Sequence, residues 1–258
     1  MFIIKLGGSV ITDKTKKQTF KQTTTDRLSM EIKKANKEII IVHGAGSFGH
    51  IPAKEYKIDE GYKDLNQIKG FSVTHEMVQT LNSLVLRSLH EHGIPGVSIS
   101  PHSTVKLDNH EIAKMDFQVF KEYLEKKFVP VTFGDVVLDK KIGFSICSGD
   151  LLMDALAGYF KPEKAVFVID EDGLYTSNPK IDENAEFIES TTLDKLEKLT
   201  VQGDKHVDVT GGMAGKIKTI KNILNHGVDV VLVNGNKPGR LYNVLVGEDT
   251  VCTILYGR

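Results

Sequence analysis

The chain has 258 residues, 40% hydrophobic and 26% charged, enough for one large α/β domain or two lobes with a substantial core. Lysine plus arginine total 33 against 34 aspartate plus glutamate, a net charge of -1, which gives no electrostatic case for nucleic acid or a membrane surface. Cys147 and Cys252 make no disulfide framework and no apolar run reaches bilayer length, so a reducing, cytoplasmic setting is expected.

The first element is the apolar run Phe2-Ile3-Ile4-Lys5-Leu6, a short strand followed at once by Gly7-Gly8-Ser9. Lys5 is either an edge-strand charge or a cation aimed at whatever the turn holds; its apolar neighbours favour the second. Most of residues 10–20, with Lys14, Lys16 and Lys17, reads as a solvated loop, and Thr25 or Asp26 is placed to cap a helix through Leu28, Ile32 and Ala35. Ile39-Ile40-Ile41-Val42 is a fully buried strand that opens into His43-Gly44-Ala45-Gly46-Ser47-Phe48-Gly49-His50. Glycines let a ligand approach the main chain, and bare N–H groups in such a turn make a concave anion site. The spacing also matches a dinucleotide fingerprint, which needs an acidic residue about 20 positions on, at the end of a second strand. Asp59, Glu60 and Asp64 lie near that distance, but residues 56–70 are polar and show no strand, so an anion-binding turn is the better reading.

Residues 51–70 read as a mobile cover. A long helix is expected over 71–92, with Phe71, Val73 and Met77 near the glycine turn and Val78 and Leu81 a turn further on. Further strands are expected over 96–100 and 128–133, the latter at an edge or irregular because of Pro130. Between them lies a helix capped by Asp116. Gly134-Asp135 leads into a hairpin over 136–146. Ser148-Gly149-Asp150 then opens a helix, Asp150 being either its cap or a functional acid at a third strand-to-helix junction. Beyond Pro162 come a strand over 165–169, the loop Asp170-Glu171-Asp172-Gly173-Leu174-Tyr175-Thr176-Ser177-Asn178-Pro179, and a helix around 193–199. Thr210 to Lys216 opens a further helix and is not a P-loop, because Thr210 and Ile217 stand where that motif needs glycine and a hydroxyl. A strand over 228–233, a short helix over 238–246 and a last strand over 251–255 close the chain. Strands alternating with helices predict an α/β fold: a mainly parallel open sheet with helices on both faces. We expect two lobes, 1–161 and 162–258, on one continuous sheet.

Ligands of such sheets bind beyond the carboxyl ends of the strands. Glycine turns at 7–9, 44–49, 149–150 and 211–215, accompanied by Lys5, Lys14 and Lys216, make phosphate the natural guest there. In this order Lys5 to Thr12, Lys14, the 43–50 stretch, Ser148-Gly149-Asp150, the 170–179 loop and Thr210 to Lys216 resemble the amino acid kinase superfamily over nearly the whole chain. Within it they resemble the isopentenyl phosphate kinases, His50 being the mark of the isopentenyl and fosfomycin kinase branch. The resemblance implies a three-layer sandwich, ATP with Mg2+ as cofactor, isopentenyl phosphate as acceptor in an alternative mevalonate pathway, and a homodimer.

The resemblance also implies roles. ATP phosphates would lie across Gly7, Gly8, Ser9 and Ala45, with Lys5, Lys14 and Lys216 on the transferring phosphoryl group and Asp150 holding the lysines by ion pairing. Amides of Gly44, Ala45, Gly49 and Gly149 would bind the acceptor phosphate, with His50 on a nonreacting oxygen and His43 structural. Asp170, Tyr175, Asn178, Pro179 and Gly212 would flank the nucleotide. Magnesium would bridge its phosphates, and no side chain is assigned as a metal ligand. Glu171 departs from the small or apolar residue expected in its turn. Two rivals are a carboxylate or fosfomycin kinase and a non-catalytic nucleotide sensor. The stretch between Arg27 and Arg87 holds no arginine for a carboxylate, and a sensor would have lost one of the three lysines.

Overall fold

The computed structural model describes residues 1–13, 15–177, 179, 181–196 and 211–257, with residues 211–214 as backbone. In chain order the strands are β1 (Phe2–Leu6), β2 (Ile39–His43), β3 (Gly96–Ser98), β4 (Val105–Asp108), β5 (Glu111–Met115), β6 (Val129–Phe133) and β7 (Asp135–Asp139). Then come β8 (Gly143–Cys147), β9 (Lys164–Ile169), β10 (Leu174–Tyr175), β11 (Phe187–Ile188), β12 (Ser190–Thr192), β13 (Asp229–Asn234) and β14 (Cys252–Tyr256). The helices are α1 (Gly8–Ile11), α2 (Gln22–Ala35), α3 (Gly46–Glu55), α4 (Leu65–Glu91), α5 (Pro101–Thr104), α6 (Phe117–Glu125), α7 (Gly149–Phe160), α8 (Gly211–Asn225) and α9 (Arg240–Val246).

Eight described strands form the main sheet in the order β12-β14-β13-β9-β1-β2-β6-β3. The pairings are parallel except β13 with β14. β1 is central, its Lys5 level with Val42 of β2 and Phe167 of β9. Every residue of β1 is buried because helices cover both faces, which is why the strand shows no polar alternation. Ile3 joins the apolar cluster that includes Leu152 and Leu156 of α7 and Ile220 of α8. Phe2, Ile4 and Leu6 join the opposite cluster with Leu28 of α2, Leu81 of α4 and Leu241 of α9. Strand period two therefore turns Lys5 toward the α7 and α8 side.

A smaller sheet, β5-β4-β7-β8, carries the expected hairpin β7–β8 and a second hairpin, β4–β5, that sequence reading left out. Asn109 and His110, both at positive φ, make its turn. The Asp139 carboxylate accepts from the amides of Asn109, His110, Lys141 and Ile142 and ties both turns together.

Four expectations need correction. Residues 51–70 are not a loose cover: α3 runs to Glu55, a 3-10 turn spans Ile58–Glu60, and α4 begins at Leu65, where the Asp64 carboxylate accepts from the amides of Asn66 and Gln67. Residues 10–20 are not simply solvated, since Val10, Ile11 and Thr12 are buried and Thr12 bridges to Phe20. α2 starts at Gln22, before Thr25, whose hydroxyl donates to the Lys21 carbonyl instead of capping. β6 is not an edge, because it pairs with both β2 and β3. Val129 N–H and the Val131 carbonyl bond on the β3 side, so Pro130 presents its missing N–H toward β2, whose ladder starts only at Val131.

Candidate active site

The turns after β1, β2, β6 and β9 and the start of α7 surround a cavity of about 440 Å³, within the range of a small-ligand site. Its charged centre is built from three elements. Lys5 Nζ lies 2.6 Å from Asp150 Oδ1, and Lys216 Nζ lies 3.8 Å from the same oxygen. Lys5 comes from β1, Asp150 from the first turn of α7 and Lys216 from α8. Both ammonium groups also stand 5.8 and 5.7 Å from the Phe167 ring centroid, on β9 next door. The Ser148 hydroxyl accepts from Leu151 N–H, so Ser148 caps α7 and Asp150 is released for the ion pairs.

Burial, then repulsion from Lys216, pulls the Lys5 ammonium down to about 8, against the pull of Asp150. Burial pushes the Asp150 carboxyl up, but Lys5 and Lys216 outweigh it and hold the group below its ordinary value. Two cations thus share one anion, leaving a positive excess at this centre that suits an anionic group placed against it.

The glycine turns flank this centre. A Cβ on Gly8 would lie 2.7 Å from Gly46, and one on Gly44 would lie 2.7 Å from Gly8, so the two turns touch through bare backbone. Thr12 reinforces the contact: its hydroxyl donates to the Gly8 carbonyl at 2.7 Å and accepts from Ser47 N–H at 3.0 Å. The N–H groups of Gly7, Gly44 and Gly49 already serve Val168, Leu6 and Ala45 carbonyls. Gly44 and Gly49 therefore offer close approach, and the expected amide contacts from these two residues are taken up within the chain. Gly8, Ser9, Gly46, Gly149 and Asp150 have main-chain N–H groups with no acceptor among the described residues. The Ser9 hydroxyl donates to Asp170 Oδ1 at 2.9 Å, linking the first turn to the loop after β9.

Beyond Gly49 and exposed His50 the wall becomes apolar: Ala53 of α3, Thr74 and Val78 of α4, Val136 of β7 and Ile146 of β8. α4 does supply this wall, but with the Thr74–Val78 face. Of the α4 residues singled out in the sequence, Val78 lines the cavity; Phe71 packs 5.3 Å from the Phe144 ring in the cluster that also holds Ala53, Val136 and Ile146 and so backs the wall, Met77 joins the cluster under the sheet, and neither of them nor Val73 lines the cavity itself.

Sequence and structure comparisons identify the family. The model of the amino acid kinase family matches residues 1–234. The chain belongs to the amino acid kinase family. It is 39% identical to an isopentenyl phosphate kinase of Methanothermobacter thermautotrophicus, with all of both chains covered. An isopentenyl phosphate kinase of Methanocaldococcus jannaschii is 37% identical over 95% of each chain. A solved structure of isopentenyl phosphate kinase superposes with a TM-score of 0.88 at 34% identity, covering 99% of each chain.

Within this family member the structure brings Lys5, Gly7, Gly8, Ser9, Gly44, Ala45, Gly49, His50, Gly149, Asp150, Asp170 and Lys216 to one cavity. Tyr175 and Pro179 stand outside its described wall, Tyr175 packing on Phe187 at 5.4 Å between ring centroids. Lys14 and Asn178 lie outside the described residues, and Gly212 is a backbone position in α8. His43 is fully buried, stacks on Phe133 and sits 3.2 Å from Asn82 Oδ1; burial lowers its imidazole to about 4 and keeps it neutral. Gly134 and Asp135 also line the cavity and were given no role from sequence. The signal was there: Phe133-Gly134-Asp135 is one more buried strand running into a glycine turn.

Proposed function

We propose that this chain transfers the γ-phosphoryl group of ATP to isopentenyl phosphate, giving isopentenyl diphosphate and ADP. The observation that carries the reading is the placement of Lys5 and Lys216 around Asp150, between two glycine turns and ahead of an apolar pocket. A phosphoryl group in flight spreads charge over its equatorial oxygens, and positioned cations stabilise that charge. Lys5 and Lys216 supply it, with Lys14 joining them, and Asp150 keeps both described lysines aimed. The N–H groups of Gly8 and Ser9 cradle the donor phosphates beside Ala45, and those of Gly46 and Gly149 the acceptor phosphate. His50 donates to a nonreacting acceptor oxygen. The acceptor is already an anion, so no strong general base is needed.

The cavity fits the donor's metal as well. Of its carboxylates, Asp150 is engaged by the lysines, Asp170 by Ser9 and Asp135 by His75, which would suit a magnesium ion held by phosphates and water more than by a protein cage. When bound, such an ion would supply Lewis-acid neutralisation of the phosphate charge. In this reading residues 162–258 hold the nucleotide along Asp170, Tyr175, Asn178, Pro179 and Gly212, while residues 1–161 hold the acceptor. The enzyme works as a cytoplasmic homodimer; no described helix is long and apolar enough to cross a membrane. The apolar wall and the lack of arginine among the described cavity residues favour a short hydrocarbon tail over an amino-acid carboxylate.

The deciding experiment is ADP release with isopentenyl phosphate, fosfomycin or N-acetylglutamate as acceptor. Turnover that depends on isopentenyl phosphate supports the reading. Turnover confined to either other compound replaces it, and nucleotide binding without any turnover makes the chain a sensor.

A further inference from the structure

We propose that His75, His102 and Asp135 form a site for a divalent transition ion of the zinc class, at the wall of the cavity but separate from the phosphate chemistry. The three residues come from α4, α5 and the first position of β7, 27 and 33 residues apart in sequence. His75 Nδ1 lies 3.1 and 3.0 Å from the two Asp135 carboxylate oxygens, and His102 Nδ1 lies 3.9 Å from Oδ2. The imidazole centroids are 4.3 Å apart, and one ligand atom from each residue falls within 4.8 Å of the others.

Ligands at about 2.0–2.2 Å from one ion stand roughly 3–3.5 Å from each other, so small side-chain rotations close the set. Two imidazoles and a carboxylate suit zinc and its neighbours; magnesium, which demands oxygen, is excluded by the same donors. An outer contact that orients one such ligand is present. Ser103 Oγ is 3.0 Å from His102 Nε2 and can accept its N–H once the ion holds Nδ1. Ser100 Oγ, now 2.7 Å from His102 Nδ1, already accepts from Gln79 Nε2 at 2.9 Å and keeps that partner when the ion takes the nitrogen. The Asp135 side chain is 0% exposed, while those of His75 and His102 are 26% and 39% exposed, so the anion is buried and the ion enters past the imidazoles. Filled, the site joins α4, α5 and β7 through one centre.

The test uses the full chain, free of any histidine tag and stripped by chelator, titrated calorimetrically with Zn2+ and spectroscopically with Co2+. Wild type should bind one equivalent that His102→Ala and His75→Ala weaken by at least about tenfold, the scale on which even outer contacts act. Co2+ should give visible d–d absorption that both variants lose, and Zn2+ should raise the Tm of wild type alone. His102→Gln, which keeps polar contacts, guards against a folding artefact and should behave like His102→Ala. Equal stoichiometry and affinity in wild type and all three variants would overturn the site and leave a hydrogen-bonded cluster. Because no arm reads phosphoryl transfer, the outcome is independent of the kinase reading.

Discussion

Lys5 is a buried charge, an ammonium with 8% of its side chain exposed that shares one carboxylate with Lys216. In the unfolded chain it would hold its proton to about 10.5, in the folded chain only to about 8. The unfolded state therefore binds more protons between those values, and stability should rise as pH climbs through that window. Activity should move the other way. A neutral Lys5 cannot hold phosphate charge, so kcat/KM for ATP should fall above pH 8 with a limiting slope of about tenfold per unit. Rate profiles and urea melts over pH 7–10 would show the opposed trends; a flat rate profile would remove Lys5 from transfer. Lys216→Ala should lose most turnover, on the order of 10²-fold or more, with the fold intact by circular dichroism. Near-normal turnover would end its assignment. His50→Ala should depress activity severely while His50→Gln keeps a donor and part of the rate; equal rates in all three would make His50 a surface residue. Legibility at this scale followed sequence order. Lys5, Asp150 and Lys216 each sit beside a glycine turn and could be named singly. Asp135 needed partners from α4 and α5, and no spacing along the chain announces a cluster assembled by tertiary packing.

At the scale of elements, the period of α4 was readable but its phase toward the cavity was not. Apolar Phe71, Val73 and Met77 looked like pocket residues, yet the helix begins six residues earlier and presents Thr74 and Val78. The polar run 65–70 hid that start, because only the Asp64 cap marks it. Of the α4 positions read from the sequence, Val78 is the one on the cavity, and it carries the prediction for the acceptor's tail. Isopentenyl and dimethylallyl phosphate should be good acceptors and geranyl phosphate a poor one, and Val78→Ala should extend the accepted tail. Each methylene gained by burial is worth about 0.8 kcal/mol, roughly fourfold in kcat/KM. Steady-state constants over a series of alkyl monophosphates would measure it; the same profile in wild type and variant would mean that the tail lies elsewhere. Gly49 sets the floor of this pocket, since an added Cβ would come within 2.5 Å of Ala45 Cβ and 2.8 Å of Val78 Cγ1.

For the whole molecule, alternation of strands and helices was enough to give a parallel sheet covered on both faces, because the central strands are largely apolar, with no polar alternation. The strand order, the reversed β14 and the β4–β5 hairpin were not legible, since pairing depends on partners far along the chain. Long-range polar ties were equally silent. The Glu31 carboxylate takes the Arg27 guanidinium and the amides of Gly239 and Tyr242, and Arg27 also reaches the Gly235 carbonyl, joining α2 to the far end of the chain. One such tie has wider reach. Gly8, Gly44 and Gly46 meet as naked backbone, with Thr12 fastened across them. Gly46→Ala would thrust a methyl within 2.3 Å of Thr12 Oγ1 at a positive φ, so it should raise KM for both substrates together, read from two-substrate kinetics. A rise confined to one substrate would show that the turns yield separately. A substitution at this junction therefore strikes both halves of the site at once, whereas one in the apolar wall alters the tail pocket alone.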